Sequence, residues 1–178
     1  MTEPAEIRPA SAAKPELFFS YSTAEDTNVL LRTLVWIVFS DYCNIRWTPS
    51  ALTSGQSQLA QIEKEIAGSA FGIVCLDGLR PNVVHEWGYM RGLAKPVILL
   101  MREDATVDVR HLVETSVPEL QNPKLRMDAH LSNLKDINYA RWYPDDVPKS
   151  AKAIWEEFCK MKKDTSSILP DIKEPELW

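Results

Sequence analysis

The chain has 178 residues, about the size of one domain, and 45% of them are hydrophobic while 25% are charged. This composition is typical of a soluble globular protein and excludes a disordered, collagenous or coiled-coil chain. The formal net charge is −5. Nucleic-acid grooves concentrate positive charge, so direct nucleic-acid binding is disfavoured.

Several features favour a cytoplasmic location. The uncharged apolar stretch of the first helix candidate, Thr33 to Ser40, is much shorter than the roughly 18 residues that a membrane-spanning helix needs. Residues 1–14 contain no apolar segment of the secretory type. Cys43, Cys75 and Cys159 are odd in number and far apart, which favours buried thiols in a reducing compartment over disulfides.

Strand and helix patterns alternate along the chain. We expect a flexible lead-in over residues 1–14, one domain over 15–163 and a flexible tail over 164–178. The predicted elements are a strand at 16–21, a helix at 25–41, a strand at 43–48, a helix at 57–69, a strand at 70–76, a helix at 83–94, a strand at 96–101, a short helix at 107–114, a fifth sheet strand at 137–143 and a last helix from about 148 or 150 to 163.

This order predicts an α/β fold of the flavodoxin-like, three-layer kind. Its central five-stranded parallel sheet would have the order 2-1-3-4-5, with helices on both faces. Ligands of such sheets bind beyond the carboxyl ends of the strands, where the strand order reverses, here between the first and third strands. The residues expected to face that crevice are Ser20, Tyr21, Ser22, Asp77, Gly78 and the start of the third helix.

The third predicted helix carries the main candidate for catalysis, Glu86. With Asn82 as the N-cap, Glu86 would lie near the first turn, where the helix dipole stabilises an anion. An anionic carboxylate at the crevice can stabilise, or covalently trap, the sugar cation formed when an N-glycosidic bond breaks. A solvated helix-start glutamate is the alternative. Gly88 and Gly92, four residues apart, predict a face that approaches the sheet or a ligand closely.

Other kinds of site lack their motifs. His85 adjoins Glu86, but Tyr89 stands where a zinc HExxH motif has its second histidine, and no Cys-x-x-Cys is present. We therefore expect no metal. The sequence also has no Walker A loop and no G-x-G-x-x-G motif, so kinase and dinucleotide oxidoreductase functions lack their phosphate-binding loop.

Three segments resemble successive boxes of the TIR superfamily and of its relatives, the nucleoside 2-deoxyribosyltransferases. They are LFFSYSTAED, TSGQSQLAQIEKEIAGSAFGIVCL and RPNVVHEWGYMRGLAKPVILL, the last being similar to the RPNV-x-x-E-x-G signature of bacterial TIR-like nucleotide-binding proteins. The resemblance covers residues 15–101. It implies that Glu86 cleaves a glycosidic bond, that Tyr21, Ser22 and Asp77 lie near the ligand, and that Ser54 and Gly55 belong to a loop at the pocket rim.

One departure from the relatives bears on the substrate. Deoxyribosyltransferases usually carry an aspartate six residues before the glutamate, and Arg80 stands there in this chain. A positive side chain suits a phosphate-bearing ligand, which favours NAD over a free deoxynucleoside. Trp47 and Trp87 could stack on nicotinamide or adenine, although packed side chains are the more common use of tryptophan. Trp36, Trp142 and Trp155 are expected in the core.

The resemblance thus implies a metal-independent NAD-cleaving enzyme of the glycohydrolase or cyclase type, with NAD as substrate and with no cofactor. Such a protein would be an effector or signal generator in bacterial antiphage immunity, regulated by self-association or by a sensor protein. Two alternatives stay open at this point. One is a non-catalytic TIR scaffold that acts by self-association, and the other is a glycosylase or transferase similar to the deoxyribosyltransferases.

Overall fold

A computed structural model describes residues 13–22, 28–47, 58–77, 80–104, 106–107, 125–126 and 139–165. Its elements in chain order are β1 (Glu16–Ser20), α1 (Asn28–Phe39), β2 (Asn44–Trp47), α2 (Gln58–Gly68), β3 (Phe71–Cys75), α3 (Pro81–Gly92), β4 (Val97–Arg102), β5 (Thr106–Val107), β6 (Leu125–Arg126), β7 (Ala140–Trp142) and α4 (Val147–Asp164). Most of the predicted lead-in, most of the tail and nearly all of the predicted helix at 107–114 lie outside these residues.

The sheet has five parallel strands in the order β2-β1-β3-β4-β7, as predicted. From β1 the chain moves outward to β2 and then returns past β1 to β3, so the strand order reverses between β1 and β3. The last strand, Ala140–Trp142, is shorter than predicted. β5 and β6 form a separate antiparallel pair.

Two helices cover each face of the sheet, and each face has its own core. The α1/α4 face includes Leu17, Phe19 and Trp142. The α2/α3 face includes Phe18 and Val74. Because neighbouring residues in a strand point to opposite faces, both faces draw on β1 and β3. Every residue of β3 is buried, as its continuous apolar sequence predicts.

The longest helix, α4, has clear start and stop signals. Asp146 is its N-cap and accepts a hydrogen bond from the backbone N of Lys149 at 3.0 Å. Lys162 and Lys163 lie in the last turn, where positive charge complements the helix dipole. Within the described part of the chain, no helix has both the length and the apolarity to cross a membrane.

Two predictions of burial were wrong. Trp36 is 51% exposed, whereas Trp142 and Trp155 are buried as predicted. The spacing of Leu59, Ile62 and Ile66 predicts that they share one stripe of the helix, but Leu59 is 47% exposed whereas Ile62 and Ile66 are buried. The reason for Trp36 is that α1 lies in an outer layer and is covered on one side, so the apolar residues on its other side face outward.

The predicted close approach of Gly88 and Gly92 to the sheet was also wrong. A Cβ atom added at either residue would meet no other atom within 4 Å, apart from the helix's own backbone and chain neighbours. The close approach is made at Gly72 of β3, where an added Cβ would overlap Sδ of Met90. Gly72 therefore allows Met90, and with it α3, to lie directly against the sheet.

We predict that Gly72→Ala lowers the free energy of unfolding by about 1–3 kcal/mol, because the added methyl group overlaps Met90. In the Met90→Ala background the same change should cost less, since it fills part of the space left by the shortened side chain. Urea unfolding of the two single variants and the double variant measures this coupling. Additive effects would contradict the proposed contact.

Candidate functional site

Glu86 occupies a core-facing position of α3. The buried residues of this helix are Val83, Glu86 and Met90, which share one side of it because they are three and four residues apart. Glu86 is only 1% exposed. The alternative of a solvated glutamate at the helix start is therefore wrong. Since the helix begins at Pro81, two residues earlier than predicted, Glu86 falls in its second turn.

The partner of Glu86 is Ser20, the last residue of β1. Its hydroxyl donates a hydrogen bond to Oε2 of Glu86 at 2.5 Å. Ser20 is fully buried and pairs in register with Val74 of β3. The pair therefore lies at the carboxyl end of β1, where the strand order reverses, as the fold predicts for a ligand site.

The second carboxyl oxygen of Glu86 is the unusual feature of the site. Oε1 is buried and has no hydrogen-bond partner among the residues that the structure describes. Most buried polar atoms in proteins are paired, because an unpaired one costs roughly 1–3 kcal/mol and more when it is charged. One oxygen of Glu86 is thus bound by the protein, while the other is an acceptor with no donor among the described residues.

Burial raises the pKa of Glu86 above its ordinary value, and the hydrogen bond from Ser20 and the charge of His85 oppose this effect. We predicted from the helix dipole that the anion would be stabilised. The dipole acts mainly within the first turn, whereas Glu86 lies in the second, and burial outweighs it, so the net shift of the pKa is upward. The exposed His85 lies with Nε2 3.9 Å from Oε1 of Glu63 on α2.

Asp77 is a second buried acid, and both of its oxygens are bound within the protein. Oδ1 accepts a hydrogen bond from the backbone N of Arg102 at 2.7 Å, and Oδ2 accepts one from Nε1 of Trp142 at 2.9 Å. Burial raises its pKa, and these hydrogen bonds oppose the effect. Trp142 belongs to the α1/α4 core, so the carboxylate is directed to the face opposite Glu86. Asp77 joins the ends of β3, β4 and β7.

Two predicted aromatic ligand contacts also pack on the α1/α4 face. The ring of Tyr21 stacks on Phe19 with centroids 4.8 Å apart, and both belong to that core or pack against it. Trp47 packs there too, with the guanidinium of Arg32 4.2 Å from its ring centroid. Trp47 and Arg32 help to line a surface groove of about 480 Å³ that Trp36 also borders. The structure therefore places the rings of Tyr21 and Trp47 against the α1/α4 core.

Four of the remaining predicted residues lie close to Ser20 or Glu86 in the sequence. Ser22 is buried, and Arg80 is half-buried at the N-cap of α3. Asn82 is exposed and follows Pro81 inside the helix, so the prediction that it caps the helix was wrong. Trp87 is half-buried against the α2/α3 core. Ser54, Gly55 and Gly78 lie outside the described residues.

Sequence reasoning placed Ser20 at the crevice but did not identify it as the partner of Glu86. These two residues are 66 positions apart, and a serine at a strand end gives no signal of a carboxylate partner. The same holds for Trp142, which we predicted to be buried but not to bind Asp77. Among the described residues, no group of three or more potential metal-ligating side chains is present.

Comparisons with known proteins give little further information. No family model matches the chain, and no curated protein matches it. Among solved structures, it is similar to the TIR domains in the activated Roq1 resistosome that directly recognizes the pathogen effector XopQ. The sequence identity is 14% and the TM-score 0.43, over 88% of this chain and 100% of that chain. Both values are too low to carry an inference about activity.

We predict that Glu86→Gln stabilises the protein at pH 8 relative to wild type. A carboxyl group whose pKa is raised in the folded state causes no loss of stability below its unfolded pKa, near 4.5. It then destabilises the fold progressively as the pH rises through the folded pKa. Glutamine does not ionise, so the advantage of the variant should grow with pH.

Thermal unfolding of wild type and variant between pH 4 and pH 8 measures this effect. Glu156→Gln, which makes the same change at an exposed position of α4, is the matched control. Parallel pH dependence of wild type and Glu86→Gln would contradict a raised pKa of Glu86.

Proposed function

We propose that this chain is a TIR-like enzyme that cleaves the N-glycosidic bond between nicotinamide and ribose in NAD. The observation that carries the proposal is the carboxyl group of Glu86, with Oε2 bound by Ser20 and Oε1 buried without a donor in the part of the chain that the structure describes. It lies where ligands of doubly wound sheets bind. The resemblance of residues 80–100 to the RPNV-x-x-E-x-G signature supports the same assignment.

In the proposed reaction the bond between the anomeric carbon and the ring nitrogen of nicotinamide breaks, and its electron pair moves to that nitrogen. Nicotinamide leaves as a neutral molecule, and the ionised carboxylate of Glu86 stabilises the positive charge that develops on the sugar. In the hydrolytic reaction water then adds to the anomeric carbon and loses a proton. The products are ADP-ribose, nicotinamide and one proton.

The burial of Glu86 favours a substrate that carries positive charge. A charge interaction is stronger in a buried site than in water, so a cationic ring next to the carboxylate favours its ionised form. The nicotinamide ring of NAD is such a cation, whereas deoxyinosine is neutral. Arg80, at the start of α3, is suited to the phosphates of a dinucleotide. These two features favour NAD over a deoxynucleoside.

Within the proposed site Glu86 is the catalytic residue, and Ser22, Arg80 and Trp87 are the proposed substrate-binding residues. Ser22 lies two residues after Ser20, Arg80 is at the N-cap of α3, and Trp87 lies in the second turn of that helix. We include self-association and a role as effector or signal generator in bacterial antiphage immunity in the same proposal. Both rest on the resemblance to TIR proteins.

We predict that wild type releases nicotinamide from NAD and that Glu86→Gln lowers the rate by at least about a hundredfold, because the neutral amide cannot stabilise the sugar cation. Chromatography of the reaction products measures both rates. The control is again Glu156→Gln, which should cleave NAD at the wild-type rate. A folded Glu86→Gln variant with wild-type turnover would contradict the catalytic role.

The same assay tests the alternatives. Deoxyinosine is offered in parallel with NAD, and the protein concentration is varied. A wild type that cleaves deoxyinosine but not NAD would replace the proposal with a deoxyribosyltransferase-like activity. A wild type that cleaves neither at any concentration would favour a non-catalytic scaffold. A specific activity that rises with protein concentration would support self-association.

A further inference from the structure

The bond between Ser20 and Glu86 connects two elements whose positions are set independently of it. Ser20 ends the central strand β1, which is hydrogen-bonded to β2 on one side and to β3 on the other. Glu86 is held by α3, which packs against β1 and β3. The serine hydroxyl is thus presented by the sheet rather than by a loop, and side chains on such rigid elements are positioned accurately.

This arrangement makes the two oxygens of Glu86 different. Oε2 receives the serine hydrogen at 2.5 Å, while Oε1 has no partner among the described residues. Without a donor at Ser20, the carboxyl group would be free to turn about its last side-chain bond, because that torsion is broad. The hydrogen bond therefore restricts the plane of the carboxyl group.

We propose that Ser20 is a positioning residue for Glu86, holding Oε2 so that Oε1 is directed at the ligand. Its effect on turnover rests on the proposed cleavage of NAD, whereas its effect on Glu86 does not. Ser20 acts through the carboxylate and touches no reacting atom.

Of the groups that affect the pKa of Glu86, Ser20 favours the ionised carboxylate most. Burial disfavours the ion, and the hydrogen bond from Ser20 opposes burial more strongly than the charge of His85 does. His85 lies on α3 and is near Glu63 of α2. At the end of β3, the carboxylate of Asp77 is bound by Arg102 and Trp142. Removing the Ser20 hydroxyl should therefore raise the pKa of Glu86 further.

The kinetic test compares Ser20→Ala with Ser20→Thr, which keeps a hydroxyl group. In Ser20→Ala, the acid limb of the kcat profile for NAD cleavage should shift upward by about one pH unit, as expected for loss of a hydrogen bond to a charged group. On the acid limb, well below the wild-type midpoint, kcat should fall about tenfold with KM within about twofold of wild type. Ser20→Thr should restore the position of the acid limb.

The matched control is Ser150→Ala. Ser150 is also a fully buried serine, and its hydroxyl bonds the backbone O of Tyr143 at the start of α4, away from Glu86. Loss of this hydroxyl group should lower the free energy of unfolding and leave the acid limb of the kcat profile in place. An acid limb that stays in place in folded Ser20→Ala would overturn the proposal.

A second measurement needs no activity and no threonine variant. Unfolding free energies are measured from pH 4 to pH 8 for wild type, Ser20→Ala, Glu86→Gln and the double variant. If Ser20 stabilises the ionised carboxylate, Ser20→Ala should steepen the loss of stability with rising pH, and Glu86→Gln should abolish that steepening. The proposal would be overturned if Ser20→Ala lowered the free energy of unfolding by the same amount at every pH, both in wild type and in the Glu86→Gln background.

The two measurements separate this inference from the proposed function. A wild type that releases no nicotinamide contradicts NAD cleavage, and the stability cycle then decides the role of Ser20. A wild type that cleaves NAD with no coupling in the cycle supports the proposed function and contradicts the role of Ser20.

Discussion

A carboxyl group placed among apolar side chains is the constraint around which this end of the molecule is built. Glu86 lies between Val83 and Met90 on the buried side of α3, a position where an apolar residue would stabilise the fold. The contact of Met90 with Gly72 brings α3 close to the sheet, and the carboxyl group then lies within reach of Ser20. One hydrogen bond compensates for part of its burial, and one oxygen has no donor within the described ranges of the chain.

The two buried acids of the described chain illustrate two uses of the same chemistry. Asp77 has donors for both oxygens, from Arg102 and Trp142, and thereby links three strands. Glu86 has one donor for two oxygens. Buried polar groups that are fully paired contribute to the fold, while an incompletely paired carboxyl group with a raised pKa is typical of a functional site. This contrast, rather than burial alone, selects Glu86 as the proposed catalytic residue.

Patterns that depend on neighbouring residues were predictable from the sequence. The alternation of strands and helices predicted the five-stranded order, and the apolar run at β3 predicted its burial. The position of Glu86 at the reversal of the strand order followed from that topology. Exposure on the outer side of α1 and α2 was less predictable, because Trp36 and Leu59 are apolar yet face outward.

The contacts within the site required the structure. Hydrogen bonds between residues as distant as Ser20 and Glu86, or Asp77 and Trp142, depend on the packing of α3 and on the register of the strands. The direction of the pKa shift of Glu86 required the structure for a related reason. The helix dipole can be read from a sequence, whereas the burial that outweighs it depends on how closely α3 approaches the sheet.

The most direct test of this account is a ¹³C NMR titration of the glutamate side-chain carboxyl groups, in which the signal missing from Glu86→Gln identifies Glu86. The account predicts that this signal titrates above the ordinary value of a glutamate, 4.5. It also predicts that nicotinamide mononucleotide, which carries the same cationic ring as NAD, lowers the titration midpoint. A Glu86 signal that titrates at the ordinary value and does not respond to the nucleotide would contradict it.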